Sequence, residues 1–495
     1  MSEKPGAAGD IAVDLGEERL LWLRDAALAG PAALLDRGAD QAAGCGLLER
    51  LVAGADIEAA LAAAGHRDER SRLLPGGATV RAVFGLCLFS GEGYDAVLSR
   101  MAPHLRGGTG LPGQVPSGSA LSQARVRLGE APLRACFQRR AAATARPGPV
   151  DTAFGMQVTA FDGTCLELAR DDALTGEFGC PTGASGARAR VVTLVACATR
   201  HVKAAAIGAY TDSEQRLVDQ LADALERGTV NLADRNFFSM DRFVRFAATG
   251  AHLLWRVKNG RTCLPARITG RLPDGSALVR LRESGQMLAR RRRQSADPQA
   301  LPLPDTTARI IEFDVTATDE RGRSKTSRIR LLTTLLDPEA YPAQALASLY
   351  AERWQVEISY LRLKKTLRGA GAVLRGRSPA LVRQEIWAFL AVYNTLCDLA
   401  AEAAALDRVD TEEISFIAVL RLTRAGIDAD RPCVRCGHRE QHSREALTSA
   451  IARHPRNRVA RRRTSPRTAA ERRNGHTQKV HYTITIAESN LPKAD

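Results

Sequence analysis

The segment Tyr350-Ala-Glu-Arg353-Trp-Gln-Val-Glu357-Ile-Ser-Tyr-Leu-Arg-Leu-Lys364 sets a phenol, two cations and a carboxylate at helical spacing. Read as one α-helix at about 100° per residue, Arg353, Glu357 and Lys364 fall within roughly 60° of Tyr350. A carboxylate flanked along one face by two cations and a phenol is an arrangement for holding a metal ion beside a phosphate backbone. Glu352 points roughly 200° away from Tyr350 and stands outside it. A solvated helix laced with ion pairs shows the same spacing, so the stripe alone leaves both readings open.

Two aspartates sit at the ends of strand-like runs. Met156–Phe161 alternates into a strand, Asp162-Gly163-Thr164 reads as a turn, and Cys165–Leu168 resumes the alternation, which predicts a hairpin. Arg190–Thr199, rich in Val, predicts a third strand. Asp212 or Ser213 can cap a helix running to about Arg227, with Leu217, Val218, Leu221 and Leu225 as its apolar stripe and Gly228 as its stop. Val230–Ala233 predicts a short strand delivering Asp234, with a helix over Ser239–Ala248 after it. Taken singly, Asp162 reads as a turn former and Asp234 as a capping residue in a loop.

Between Asp234 and Glu357 the chain predicts four further strands, Ala251–Val257, Ala277–Arg282, Arg309–Thr318 and Arg328–Leu336. Trp255 suits either the core or stacking on an extruded base. Arg290-Arg-Arg-Arg293 suits phosphate contact or a solvated loop. Upstream, from Pro31 to about Ala145, the periodicity is helical, with Ala120–Gly129 and Ala131–Arg140 as two short helices. Gly108-Thr-Gly110-Leu-Pro-Gly113 matches G-x-G-x-x-G in form only; no strand precedes it and Pro112 interrupts the helix it should open. Downstream, Ile386–Leu399 predicts a helix covering the sheet.

A chain of 495 residues is long enough for two to four domains. Its 45% hydrophobic and 25% charged content is ordinary for a globular protein. The net charge of +15 points to a polyanionic partner, nucleic acid ahead of a membrane surface. No signal-peptide pattern and no uninterrupted apolar run of ~18 residues is found, so a cytoplasmic, nucleoid-associated protein without membrane is expected. The ten cysteines are scattered and suit a reducing compartment. Cys433, Cys436, His438 and His442 are too crowded for an ordinary zinc site. Arg453–Lys479, with nine Arg and one Lys against Glu471, predicts a flexible basic tail that binds DNA nonspecifically.

Tyr350-x2-Arg353-x3-Glu357-x6-Lys364 resembles the glutamate motif of the IS4 family of DDE transposases, and Asp162-Gly-Thr and Asp234-Arg-Asn-Phe stand in that family's order. Leu121-Ser-Gln-Ala-Arg125-Val-Arg127-Leu-Gly129 and Arg70-Ser-Arg-Leu-Leu-Pro75 look like the family's N-terminal domain. The resemblance implies an α/β fold: an RNase H-like catalytic core with a β-rich insertion, an all-α N-terminal domain and a basic, partly disordered C-terminal tail. It divides the chain into a flexible 1–30, a helical DNA-binding 31–147, core parts at 148–255 and 338–405 around an insertion at 256–337, and a C-terminal 406–495. It further implies that Asp162, Asp234 and Glu357 converge on two Mg²⁺ or Mn²⁺ ions, since clustered carboxylates need a hard cation to stay ionised. Tyr350, Arg353, Lys364, Lys365, Trp255, Arg125 and Arg127 are the expected DNA contacts. The implied partners are transposon terminal inverted repeats and target DNA, with a homodimer in the synaptic complex. A noncatalytic DNA-binding regulator and a metal-dependent nuclease without strand transfer are the rival readings.

Overall fold

The computed structural model describes residues 53–68, 73–105, 115–143, 152–260, 263–294, 301–318, 322–369, 372–429, 444–454 and 481–493. Residues 108–113, 433–442 and most of the basic stretch 453–479 lie outside them, as do 1–52 and Arg70–Arg72.

Among the described residues five helices come first: α1 (Gly54–Ala63), α2 (Gly76–Leu88), α3 (Tyr94–Leu105), α4 (Gly118–Leu128) and α5 (Ala131–Ala143). Every residue of α2 is buried, so it forms the centre of this layer. Strands β1 (Thr152–Ala153) and β2 (Met156–Glu167), helix α6 (Asp172–Phe178), strands β3 (Arg188–Ala196) and β4 (Val202–Ala209), helix α7 (Glu214–Asp219), strand β5 (Thr229–Ala233), helix α8 (Met240–Ala247) and strand β6 (His252–Val257) follow. Next come β7 (Ala266–Arg271), β8 (Ala277–Leu281), α9 (Gly285–Gln294), β9 (Thr306–Thr318), β10 (Ser324–Thr333) and α10 (Ala343–Leu349). A 3₁₀ turn (Tyr350–Arg353), α11 (Trp354–Leu361) and a π segment (Arg362–Leu367) lead to α12 (Pro379–Asp407), α13 (Phe416–Ala429), α14 (Arg444–Ala452) and β11 (His481–Ala487).

The strands form one eleven-stranded sheet, ordered β4-β3-β2-β5-β6-β10-β9-β8-β7, with β1 on β2 and β11 on β9. Both faces of its centre are covered. Val191 and Val195 of β3 face the cluster holding α12, while Val192 and Leu194 face the one holding α7 and α8. That double burial explains why β3 reads as a near-continuous apolar run.

Asp162-Gly163-Thr164 is not a hairpin turn. Strand β2 runs straight through it and pairs β3 from Thr159↔Ala196 to Glu167↔Arg188. The antiparallel hairpin of this region is β3 with β4, and β4 is a strand the periodicity missed. On its other side β2 runs parallel to β5, from Gln157↔Thr229 to Ala160↔Leu232. The segment between Asp234 and Glu357 does not stand apart: β10 pairs β6 and the sheet runs on through it. Arg290–Arg293 belongs to helix α9 rather than to a loop, with Arg291 ion-paired to Glu283 at 2.9 Å.

Two expected DNA contacts are structural instead. Trp255 is fully buried against Phe243 and Phe246, at ring distances of 5.8 and 5.6 Å. Its Nε1 donates to Asn231 Oδ1 (2.9 Å), and Asn231 Nδ2 donates to Thr159 Oγ1 (3.2 Å), so one polar chain crosses β6, β5 and β2. Arg125, 1% exposed, donates to Gln384 Oε1 (2.9 Å), Tyr94 Oη and the Leu381 carbonyl (3.4 Å). It clamps the N-terminal helices onto α12. Arg127 points to solvent.

Helix α12 is started by Ser378, whose Oγ accepts from Leu381 N (3.4 Å), with Pro379 in its first turn. Its most apolar window, of mean hydropathy 1.3, has the composition of a membrane span, yet 72% of it is buried inside the protein. It is the core helix on which the sheet and the N-terminal helices pack.

Beyond the basic stretch, the described C-terminal residues join the sheet. Strand β11 pairs β9 from His481↔Thr318 to Ala487↔Glu312. Ser489 Oγ then donates to Glu312 Oε1 (2.6 Å), and Arg330 Nη2 to Asn490 Oδ1 (2.7 Å), so both members of a fully buried Arg330–Glu312 pair gain a partner from this segment.

Replacing Trp255 by Phe keeps the aromatic contacts and strands the buried Asn231 oxygen, which costs about 1–3 kcal/mol. Urea unfolding should register that loss while DNA-end binding stays unchanged. Weakened binding at unaltered stability would return Trp255 to the DNA-contacting set.

Candidate active site

Strands β2 and β5 pair with a constant offset of 72 residues, as in Val158↔Val230. Carried two residues past Ala160↔Leu232, that register brings Asp162 level with Asp234. Neighbouring strands lie about 4.8 Å apart, so the two aspartates share one end of the sheet. Asp162 accepts from Gly163 N (2.9 Å), and Asp234, one residue past β5, accepts from Arg235 N (2.7 Å).

The Tyr350–Lys364 segment is helical throughout but not one regular α-helix. Its first turn is 3₁₀, with three residues per turn, so Tyr350 and Arg353 eclipse one another. Its last part, carrying Lys364 and Lys365, is a π segment, a form found often at functional sites. The expected stripe survives these changes as contacts. Tyr350 Oη reaches the Ala233 carbonyl (3.4 Å), Arg353 Nη2 lies 3.5 Å from Glu357 Oε1, and Lys364 Nζ donates to Thr164 Oγ1 (3.2 Å). Lys365 is exposed.

Tyr360, on α11, donates its hydroxyl to the Asp162 carbonyl (2.6 Å) and shares a hydrogen bond with Thr193 of β3 (2.8 Å). It fixes the helix over the two strands. No motif singles it out, because its phenol acts on backbone rather than on a ligand.

Asp162, Asp234 and Glu357 all bear electrostatically on Arg353. Burial opposes the charge of this 9%-exposed guanidinium, but Tyr350, Asp162, Asp234 and Glu357 outweigh it and raise its pKa. Burial lifts Asp162 to about 6, with Arg353 and the Gly163 amide pulling down and Glu357 and Glu214 pushing up. Burial also raises Tyr350, and lowers Lys364 with help from Arg368.

Glu214 is a fourth carboxylate at this site that sequence reasoning missed. Its only signal was an acidic residue directly after the Ser213 helix cap.

Among the described residues, no three His, Cys, Asp or Glu side chains are grouped closely enough to hold a metal ion as they stand. The donor chemistry still suits a hard divalent cation. Asp162, Asp234 and Glu357 offer only carboxylate oxygens, and the raised Asp162 lacks the positive charge that such an ion would bring.

Residues 43–138 match the family model for the insertion element 4 transposase N-terminal region, and residues 153–395 match the one for the transposase DDE domain. The chain is also 27% identical, over 344 residues, to the transposase InsG for insertion sequence element IS4 of Escherichia coli (strain K12), covering 68% of this chain and 72% of that protein. The chain belongs to the IS4 family of DDE transposases. It is therefore a DNA transposase, and Asp162, Asp234, Tyr350, Arg353, Glu357 and Lys364 all fall within the matched DDE domain. Among solved structures, a piggyBac transposase synaptic complex with hairpin DNA aligns with a TM-score of 0.41 and 9% identity, over 82% of this chain and 84% of that one. That likeness is too remote to bear on function.

A carboxyl raised in the folded state favours the protonated form, so the stability it contributes is full below the ordinary value of 3.8 and is lost as pH rises through about 6. Asp162→Asn should therefore stabilise the metal-free IS4-family protein above pH 6 by on the order of 3 kcal/mol, with little effect below pH ~4. Thermal melts in chelator across that range test this; a pH-independent difference would show that Asp162 is not desolvated.

Proposed function

We propose that this transposase cuts DNA at the ends of its element and joins the freed 3′-hydroxyls to target DNA, using Asp162, Asp234 and Glu357 as its catalytic and metal-holding carboxylates. The observation that carries the reading is geometric: the β2–β5 register brings Asp162 level with Asp234, and α11, tied to the Asp162 carbonyl by Tyr360, carries Glu357 beside the buried Arg353. The strand order, with the first core strand parallel to the fourth, supports an RNase H-like core. The domain limits read from the sequence stand with it as part of the proposal.

Two Mg²⁺ or Mn²⁺ ions held there would supply charge for activating the attacking hydroxyl and offsetting the leaving 3′-oxygen. The protein's own side chains do the rest. Arg353 balances the carboxylates and offers a planar fork to a phosphate, while Lys364, steered by Thr164, offers a compact positive charge. Tyr350 seals the end of β5 beneath them. Exposed Lys365 and Arg127 extend the basic surface along the DNA. The reading places the protein with nucleoid DNA in the cytoplasm and has it act as a homodimer that pairs two element ends.

Glu357→Gln should abolish nicking of element-end DNA in Mg²⁺ or Mn²⁺, a loss of at least ~10³-fold given the usual weight of such electrostatic groups. End binding should remain within about twofold. Retained cutting by this variant would remove Glu357 from the site. Binding without nicks by the unaltered chain would favour a regulator, and nicks without joined products a nuclease.

A further inference from the structure

Glu214 has no part in the reading above, yet it connects everything around Asp162 and Asp234. It opens α7, directly after Ser213, whose Oγ caps that helix. Its Oε1 accepts from Arg190 Nη1 of β3 (3.2 Å), and its Oε2 accepts from Asn236 Nδ2 (2.9 Å), two residues beyond Asp234. Gln215 adds a second tie to the same loop, its Nε2 donating to the Asn236 carbonyl (2.7 Å).

The carboxylate lies directly over Gly163. A Cβ built there would sit 2.5 Å from Glu214 Oε1 and 2.7 Å from its Cδ. A glutamate tip can ordinarily swing aside, but this one is held by Arg190 and Asn236, so moving it breaks both bonds. The glycine after Asp162 is thus explained by close approach of a side chain, not by a turn.

The position of Asp234 needs such a tie. The β2–β5 ladder ends at Ala160↔Leu232 and the β5–β6 ladder at Ala233↔Trp255, so Asp234 lies beyond the last strand pairing on both sides. Its loop holds itself through Arg235 N on the Asp234 carboxylate and Phe237 N on the Asp234 carbonyl (2.9 Å), with Phe237 buried against Phe161. At the exposed tip of that loop, the Asn236–Glu214 hydrogen bond ties it to a carboxylate seated over Gly163, on the strand carrying Asp162.

We propose that Glu214 is a positioning residue that sets the Asp234 loop against Asp162-Gly163 through Asn236. Its catalytic meaning rests on the reading of Asp162 and Asp234 as the reacting carboxylates. The geometric part does not.

The test uses the full chain and its Glu214→Ala, Glu214→Gln, Asn236→Ala and Glu214→Ala/Asn236→Ala variants. Hydrogen–deuterium exchange of the Arg235–Phe238 amides is measured without metal or DNA, and nicking of element ends is measured against Mn²⁺ concentration. Glu214→Ala and Asn236→Ala should each speed exchange at the loop by roughly tenfold, as loss of one charge-assisted hydrogen bond would. The double variant should go no further than either single one. Glu214→Gln, which keeps one acceptor oxygen for Asn236, should fall between. Nicking should drop and need several times more Mn²⁺, with end binding unchanged. Unchanged loop exchange in Glu214→Ala, or additive effects in the double variant, would overturn the proposal. If the loop loosens as expected while the unaltered chain never nicks DNA, the tie stands and the catalytic reading fails.

Discussion

One strand register governs this molecule: residue n of β2 lies beside residue n + 72 of β5. A slip of one position would turn every side chain of either strand to the opposite face, sending Asp162 and Asp234 to different sides of the sheet. Apolar burial disfavours the slip but does not single out one parallel alignment among Val- and Ala-rich strands. The polar chain Thr159–Asn231–Trp255 does, because its buried amide finds both partners at one alignment only. An apolar core would have been easier to build and less specific.

Above that register sits a problem of charge. Three carboxylates and a phenol from four separate elements are drawn to one end of the sheet, where burial already disfavours ionised Asp162. All four act on the Arg353 guanidinium. Its 3₁₀ turn brings it into line with Tyr350, and Tyr360 holds the following helix down on β2 and β3. The arrangement balances negative charge with a guanidinium, a planar group whose geometry also suits phosphate.

The sequence made the chemistry more legible than the architecture. Tyr350, Arg353, Glu357 and Lys364 were readable because helical spacing survives a change of helix type over one or two turns. Strand β5 and its Asp234 were readable because a short apolar run ended in a carboxylate. Asp162-Gly163 misled, since Asp and Gly are the commonest turn formers and nothing local reveals that a distant glutamate needs the space. Arg125 and Trp255 misled for a related reason. Arginine and tryptophan are frequent DNA contacts, and whether they face solvent depends on Gln384 and Asn231, far away in the chain. Strand β11 was hidden behind a long basic stretch whose composition argues against a fold.

That last strand has a consequence for how the protein is made. β8 covers one edge of β9 over residues 306–310, and β11 continues that cover over residues 312–318. The second half of this edge therefore stays open, and Arg330 lacks its Asn490 partner, until residues 481–490 have left the ribosome. A chain ending inside the basic stretch would carry Asp162, Asp234 and Glu357 but a bare strand edge, the kind of surface that pairs with other chains.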